Sequence, residues 1–115
     1  MDKLIPVILE SPYQGKTENE IYINTKYARL CMKDSINRRE APFASHLLYT
    51  QEGILDDNIP EERKKGIEAG LIWGRFAIKT VIYCDLGITE GMKIGIKRAE
   101  EEGRKIEKRF IFTVK

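Results

Sequence analysis

Runs of consecutive apolar residues alternate along the chain with stretches in which apolar residues recur every three or four positions. The first kind reads as strands covered on both faces, the second as helices that bury one stripe. Leu4–Leu9 is the first strand, with Pro6 tolerable near a strand start or on an unpaired edge. Pro42–Ser45 is a short second strand, Thr80–Cys84 the third and most apolar, and Arg109–Phe112 the fourth.

Between them, Ile23, Tyr27, Leu30 and Cys31 share one stripe, which predicts a helix over Asn19–Ile36. A second helix opens behind Asp56, Asp57 and Asn58, with Pro60, Glu61 and Glu62 in its first turn. Its inner stripe is Ile67, Leu71, Gly74 and Ile78. Gly66, Gly70 and Gly74 form a ridge that suits close approach to the sheet or to another helix. A third helix starts at the capping residue Thr89, buries Met92, Gly95, Ile96 and Ala99, and ends at Gly103 beside Arg104 and Lys105. The order β-α-β-α-β-α-β predicts one α/β domain over residues 1–115. Its sheet is four-stranded and mostly parallel, sandwiched in three layers (α/β/α, flavodoxin-like), with Val7, Ile8, Val81, Ile82 and Ile111 in the core. Leu47–Ile59 is the longest irregular segment, a length often tied to function.

Composition narrows the function classes. At 115 residues, 42% hydrophobic and 33% charged, the chain can bury a core without disulfides or metal. Twenty Lys and Arg against eighteen Asp and Glu give a net charge of +2, too little for a nucleic-acid or anionic-membrane surface. Arg38-Arg39 and Lys64-Lys65 lie among acids and read as solvated helix faces. No apolar run approaches the ~20 residues of a membrane span, and Met1-Asp2-Lys3 does not open a signal-type stretch. Cys31 and Cys84 stand apart and read as buried reduced thiols, and a single histidine disfavours Cys/His zinc sites. The expectation is a cytoplasmic protein with no metal, no cofactor, no nucleic-acid partner and no membrane partner.

In open parallel sheets, ligands bind beyond the carboxyl ends of the strands, where strand order reverses. The first strand runs into Glu10-Ser11-Pro12-Tyr13-Gln14-Gly15, the second into Ser45-His46, the third into Asp85-Leu86-Gly87-Ile88-Thr89-Glu90-Gly91. The turn at Ser11–Gly15 suits an anion, or is a plain connection. Gly87 and Gly91 around the cap Thr89 allow close backbone approach to an anion at a helix start. His46 reads equally as structural or functional. Trp73 and Phe76 read as core or subunit contact.

Several strings carry a resemblance. They are Ser11-Pro12-Tyr13 with Gly15, Asn24 with Tyr27-Ala28, and Ala41-Pro42-Phe43-Ala44-Ser45-His46-Leu47-Leu48-Tyr49-Thr50-Gln51. Leu55-Asp56-Asp57, Glu61-Glu62-Arg63, Gly66-Ile67, Ala69-Gly70 and Asp85-Leu86-Gly87-Ile88 with Gly91-Met92 complete the set. Nearly the whole chain is similar to a family of small bacterial and phage proteins. More distantly, through the Ser/Gly turn after the opening strand and the late Asp-x-Gly turn, it resembles the nucleoside 2-deoxyribosyltransferase-like superfamily. That resemblance implies a pocket for nucleosides or their monophosphates, and a catalytic glutamate in a Glu-x-Gly pattern on the third helix. Gly95 fits the glycine, so Lys93 stands where the glutamate belongs. A carboxylate stabilises the positive charge of glycosidic cleavage, whereas an ammonium repels it and attracts a phosphate. Glu90, one turn earlier, is the alternative catalytic carboxylate.

The leading expectation is therefore a binder of a nucleotide-derived small molecule, which in a phage could sequester a nucleotide signal of host defence, a role that rests on analogy. The anion would rest on Ser11, Gly15, Gly87, Thr89 and Lys93. Tyr13 and Tyr49 would stack on a base and His46 and Asp85 would hydrogen-bond it, with Pro12, Ser45, Ile88 and Gly91 beside them. One alternative is a nucleoside-phosphate N-glycosidase or deoxyribosyltransferase using Glu90 or another strand-end carboxylate. Another is a structural homo-oligomer. The resemblance also implies subunit pairing, for which the second helix with Trp73 and its glycine ridge is the candidate contact.

Overall fold

The computed structural model of the chain describes residues 3–112. The strands are β1 (Ile5–Glu10), β2 (Glu40–Phe43), β3 (Lys79–Tyr83) and β4 (Lys105–Arg109). The helices are α1 (Glu18–Asn37), α2 (Ser45–Tyr49), α3 (Pro60–Trp73) and α4 (Glu90–Glu101), and a 3-10 turn at Gly74–Phe76 prolongs α3. The sheet is wholly parallel in the order β2-β1-β3-β4. The chain leaves the centre for one edge, crosses back over β1, and continues to the other edge. Right-handed crossovers then place α1 on one face and α3 with α4 on the other, giving three layers.

Burial follows that arrangement. Val7, Leu9, Val81 and Tyr83 point to the α1 face and pack with Tyr27 and Cys31. Ile8 and Glu10, the alternate residues of β1, face Gly70 and Leu71 of α3 and Ile94 and Gly95 of α4. Of the expected core, Val7, Val81 and Ile82 are buried, while Ile8 and Ile111 are half-buried. On α1 the buried stripe is Tyr27, Ala28, Cys31 and Ser35; Ile23 and Leu30 are about half exposed. At the end of this stripe Ser35 donates to Glu40 at 2.7 Å. Thr17 and Thr89 cap α1 and α4 by accepting from the backbone N–H groups of Glu20 and Met92. Both cysteines are free, Cys31 buried and Cys84 half-buried. No helix among the described residues is long and apolar enough to cross a membrane.

Three elements depart from the sequence reading. β2 starts at Glu40 and stops at Phe43, because Ser45 already belongs to α2, a helix hidden in what reads as strand and loop. α3 ends at Trp73, which leaves Ile78 outside its stripe and exposed. β4 lies at Lys105–Arg109, not at the apolar Arg109–Phe112. It is an edge strand with charges directed inward, Glu107 and Arg109, and these meet Lys79 and Glu40. The apolar residues beyond it turn away under Asp85, which accepts from the N–H groups of Ile111 and Phe112, each at 2.9 Å.

Candidate functional site

The end of β1, α2, α3 and the first turn of α4 enclose a cavity of about 300 Å³. It lies beside the β1–β3 boundary, where the strand order reverses. Local chemistry explains how the walls come together. After Glu10 the chain turns through Ser11–Gly15, and the Asn24 side-chain amide of α1 pins that turn by donating to the carbonyls of Tyr13 (3.1 Å) and Gln14 (3.3 Å). Gly15 is required because a Cβ there would meet Glu20 Cβ at 2.6 Å.

On the other side, the glycine ridge of α3 admits α2. A Cβ on Gly70 would lie 2.5 Å from Ser45 Oγ, and one on Gly66 would press on Leu55 at 3.2 Å. The close approach that the ridge predicts is thus helix against helix within the chain. It carries Ser45, His46 and Tyr49 to the cavity wall.

The polar groups of the cavity are mostly fixed by one another. Ser11 Oγ and His46 Nε2 share a hydrogen bond of 2.8 Å, and burial pulls His46 down to about 4, so the ring is neutral at pH 7. The Tyr13 ring stands nearly perpendicular to His46, 6.1 Å away. The Tyr49 hydroxyl accepts from Trp73 Nε1 at 3.0 Å. Arg63 pairs with Asp57 at 3.2 Å, and its guanidinium would lie 3.3 Å from a Cβ on Gly91. Glu62 accepts from the N–H of Asp56 at 2.7 Å. Glu90 stands at the rim with its side chain 87% exposed, paired with Lys93 at 2.9 Å.

Glu10 differs from all of these. It lines both the cavity and the crevice beneath it between α3 and α4. Burial raises it from 4.5 to about 8, against a smaller opposing pull from Arg104. Arg104 itself is directed elsewhere, to Thr80 Oγ1 (2.9 Å), the Gly74 carbonyl (2.7 Å) and Glu102 (2.6 Å).

Of the site residues expected from sequence, Ser11, Tyr13, Ser45, His46, Tyr49, Thr89, Glu90 and Gly91 line the cavity. Pro12, Gly15, Asp85, Gly87, Ile88 and Lys93 do not. Asp85 is turned inward, accepting from Tyr27 Oη at 2.5 Å and from the chain beyond β4, and these bonds outweigh its burial to hold it below the usual carboxylate range. Gly87, at φ +91°, serves the turn after β3. Ile88 and Lys93 face solvent, and Pro12 is packed away. Glu62 and Arg63 are site groups that the sequence does not place there, and Glu10 stands in it only as a strand-end residue without an assigned role. The available signal for Glu10 was an acid closing an otherwise apolar strand. No group of His, Cys, Asp or Glu among the described residues is arranged to hold a metal ion.

Fold and cavity together define a parallel α/β domain with a concave, mixed polar and apolar site at the ends of its strands. Residues 5–109 match the family described as a domain of unknown function, DUF7768, and the chain belongs to that family. No curated protein matches it, and no solved structure does.

Proposed function

We propose that the cavity binds a nucleoside-like small molecule, bearing at most one phosphate, and that the protein acts as a binder. The main support is the cavity itself, whose size falls at the lower end of the about 300–1,000 Å³ of small-molecule sites. Its wall combines the Tyr13 ring, the apolar surface of Leu55, Ile67 and Met92, and the hydroxyls of Ser45 and Thr89. An aromatic wall suits a base, and hydroxyls suit the edges of a sugar. This agrees with the resemblance to the nucleoside 2-deoxyribosyltransferase-like superfamily.

The charges limit the anion. Arg63 is the cation on the wall, already paired with Asp57, and Glu62 and Glu90 share the same rim. A single phosphate beside Arg63 and the first turn of α4 is tolerable; a polyphosphate would meet the carboxylates. Lys93, expected to hold the anion, is 60% exposed and pairs with Glu90 instead. The same pair argues against turnover through Glu90, which lacks the desolvated setting in which a carboxylate acts on a glycosidic bond. Calorimetry with nucleosides and their mono-, di- and triphosphates tests the reading. Saturable binding by a nucleoside or a monophosphate, with weaker binding of the triphosphate, is expected. Release of free base during incubation would instead favour the glycosidase.

A further inference from the structure

We infer that the Glu10 carboxyl is the recognition group of the cavity floor, engaging a hydrogen-bond acceptor and a neighbouring N–H of the ligand in a two-point contact. The inference rests on the cavity being a ligand site, and adds which edge of the ligand is read and by what. Three observations carry it. First, Glu10 projects from the end of β1 into the junction of cavity and crevice, so an occupant of the floor touches it. Second, it has no hydrogen-bond partner or ion pair among the described residues, while its oxygens are not sealed off, since no fully buried side-chain polar atom is left without a partner there. Third, α4 makes room for it: a Cβ on Gly95 would run into its carboxyl.

Glu10 sits half-buried between α3 and α4 with no paired cation, and desolvation, opposed by the smaller pull of Arg104, raises it to about 8, which favours the undissociated acid at pH 7. In that form it offers one O–H donor and one carbonyl acceptor side by side. The complementary ligand edge is an acceptor next to an N–H, the amide or amidine type that nucleobases present. As an anion Glu10 would offer acceptors alone, and the match would be lost. The other titratable or charged groups around it are His46 from α2, Glu62 and Arg63 from α3, Glu90 from α4, and Arg104 beside β4, with Tyr13, Tyr49 and Asp57 on the cavity wall. A variant confined to Glu10 separates its contribution from theirs.

The test uses the full chain with adenosine and cytidine as probes, neither of which titrates in the alkaline range. Affinity is measured by calorimetry from about pH 7 to about pH 9 for wild type, Glu10→Gln and Glu10→Leu. Wild-type affinity should fall about tenfold across that range as the acid ionises. Glu10→Gln, which keeps a donor and an acceptor, should bind at pH 7 within a few-fold of wild type and lose the pH dependence. Glu10→Leu should bind at least tenfold more weakly at every pH, with its fold verified by circular dichroism. A probe that binds with the same affinity to wild type and Glu10→Leu, or with no pH dependence in the wild type, overturns the role of Glu10 and leaves the binding reading intact. No binding of either probe by wild type at any pH overturns the assigned edge. Failure of the whole nucleoside and nucleotide panel removes the binding reading itself.

Discussion

Two glutamates on neighbouring strands, Glu40 buried and Glu10 half-buried against a cavity, have their pKa values moved in opposite directions. Glu40 opens β2, Glu10 closes β1. Around Glu40 the fold assembles Arg109 (2.8 and 2.5 Å), Ser35 (2.7 Å) and Lys79 (3.1 Å). Burial alone would raise that carboxyl, but these partners outweigh it and hold it down at about 2. The network continues through Glu107 and Tyr83 to Asp34, joining β2, β3, β4 and α1. Around Glu10 there is apolar surface, glycine and open cavity, and the carboxyl rises to about 8. A shortage of cations does not explain the contrast, because Arg104 reaches the same crevice and bonds to other groups. The chain can complete a buried acid, and at Glu10 it does not. A structural acid is one whose partners are already present; a recognition group is one whose partner is missing from the protein.

The largest expected effect comes from breaking the completed site. Arg109→Leu leaves Glu40 buried without its bidentate partner, and urea denaturation should show a loss of about 3–5 kcal/mol. Glu40 has a lowered pKa, so its contribution is fully present above its ordinary value of 4.5 and disappears as pH falls through about 2. The Arg109→Leu protein should therefore show a weaker acid-side dependence, since only Ser35 and Lys79 still hold Glu40. A loss below about 1 kcal/mol would mean that Glu40 and Glu10 are less different than their surroundings indicate.

The second effect has the opposite sign. Glu10 has a raised pKa, so the folded state holds its proton more tightly than the unfolded chain does. Its destabilising effect is absent below about 4.5, grows as pH rises, and is complete above about 8. Glu10→Gln removes the titration and should stabilise the protein at pH 7 by about 3 kcal/mol, with no gain at pH 4. Parallel denaturation curves at the two pH values decide it. Equal stability of both proteins at both would show that the cavity hydrates Glu10 freely.

A smaller effect belongs to the polar pair between these extremes. Ser11→Ala deprives His46 Nε2 of its 2.8 Å partner and should cost about 1 kcal/mol at pH 7. His46 has a lowered pKa, so its neutral form contributes stability above 6.5 that is lost as pH falls toward about 4. Ser11→Ala should leave that slope in place, because burial, not the serine, sets it. A chemical-shift titration of the ring follows this directly, and titration near 6.5 in either protein would contradict burial as the cause.

Much of the fold was legible because it rests on periodicity. β1 and β3 are apolar runs, α1 has an apolar stripe and α4 a threonine cap, and alternation of the elements forces a parallel sheet. β4 was misread because its polar residues face inward to ion pairs sixty-nine residues apart in sequence, as between Arg109 and Glu40, which no local pattern reveals. α2 was misread because five residues are too few to display a helical period. Within the site, Ser11, His46 and Thr89 could be placed from the strand ends that carry them. Asp85 has the same signature of a polar residue after a buried strand, yet it serves the chain beyond β4. Lys93 shows a limit of another kind: its position in a motif is visible in sequence, and its outward direction is set by the rotation of α4. Glu10 could likewise be placed at a strand end, but its lack of a partner, which sets it apart, is visible only in the structure.

The smallest stability effect expected at pH 4 is the most selective. Gly95 is buried in the middle of α4, where glycine is about 1 kcal/mol less favourable than alanine. Gly95→Ala should recover that propensity. The new Cβ would meet the far end of the Glu10 side chain, which can swing, and meets no backbone within van der Waals distance among its three nearest contacts. The helix therefore stays and the carboxyl moves, so stability at pH 4 should change by no more than about 1 kcal/mol. At pH 7 the displaced carboxyl gains water, its pKa falls toward the ordinary 4.5, and the variant should become more stable relative to wild type. Adenosine and cytidine binding should weaken as much as in Glu10→Leu, although Glu10 is still present. A carbon-13 titration of the Glu10 carboxyl in both proteins measures the shift. If the carboxyl still titrates near 8 in Gly95→Ala, the crevice has yielded around it, and the position of Glu10 is not set by the space that Gly95 leaves.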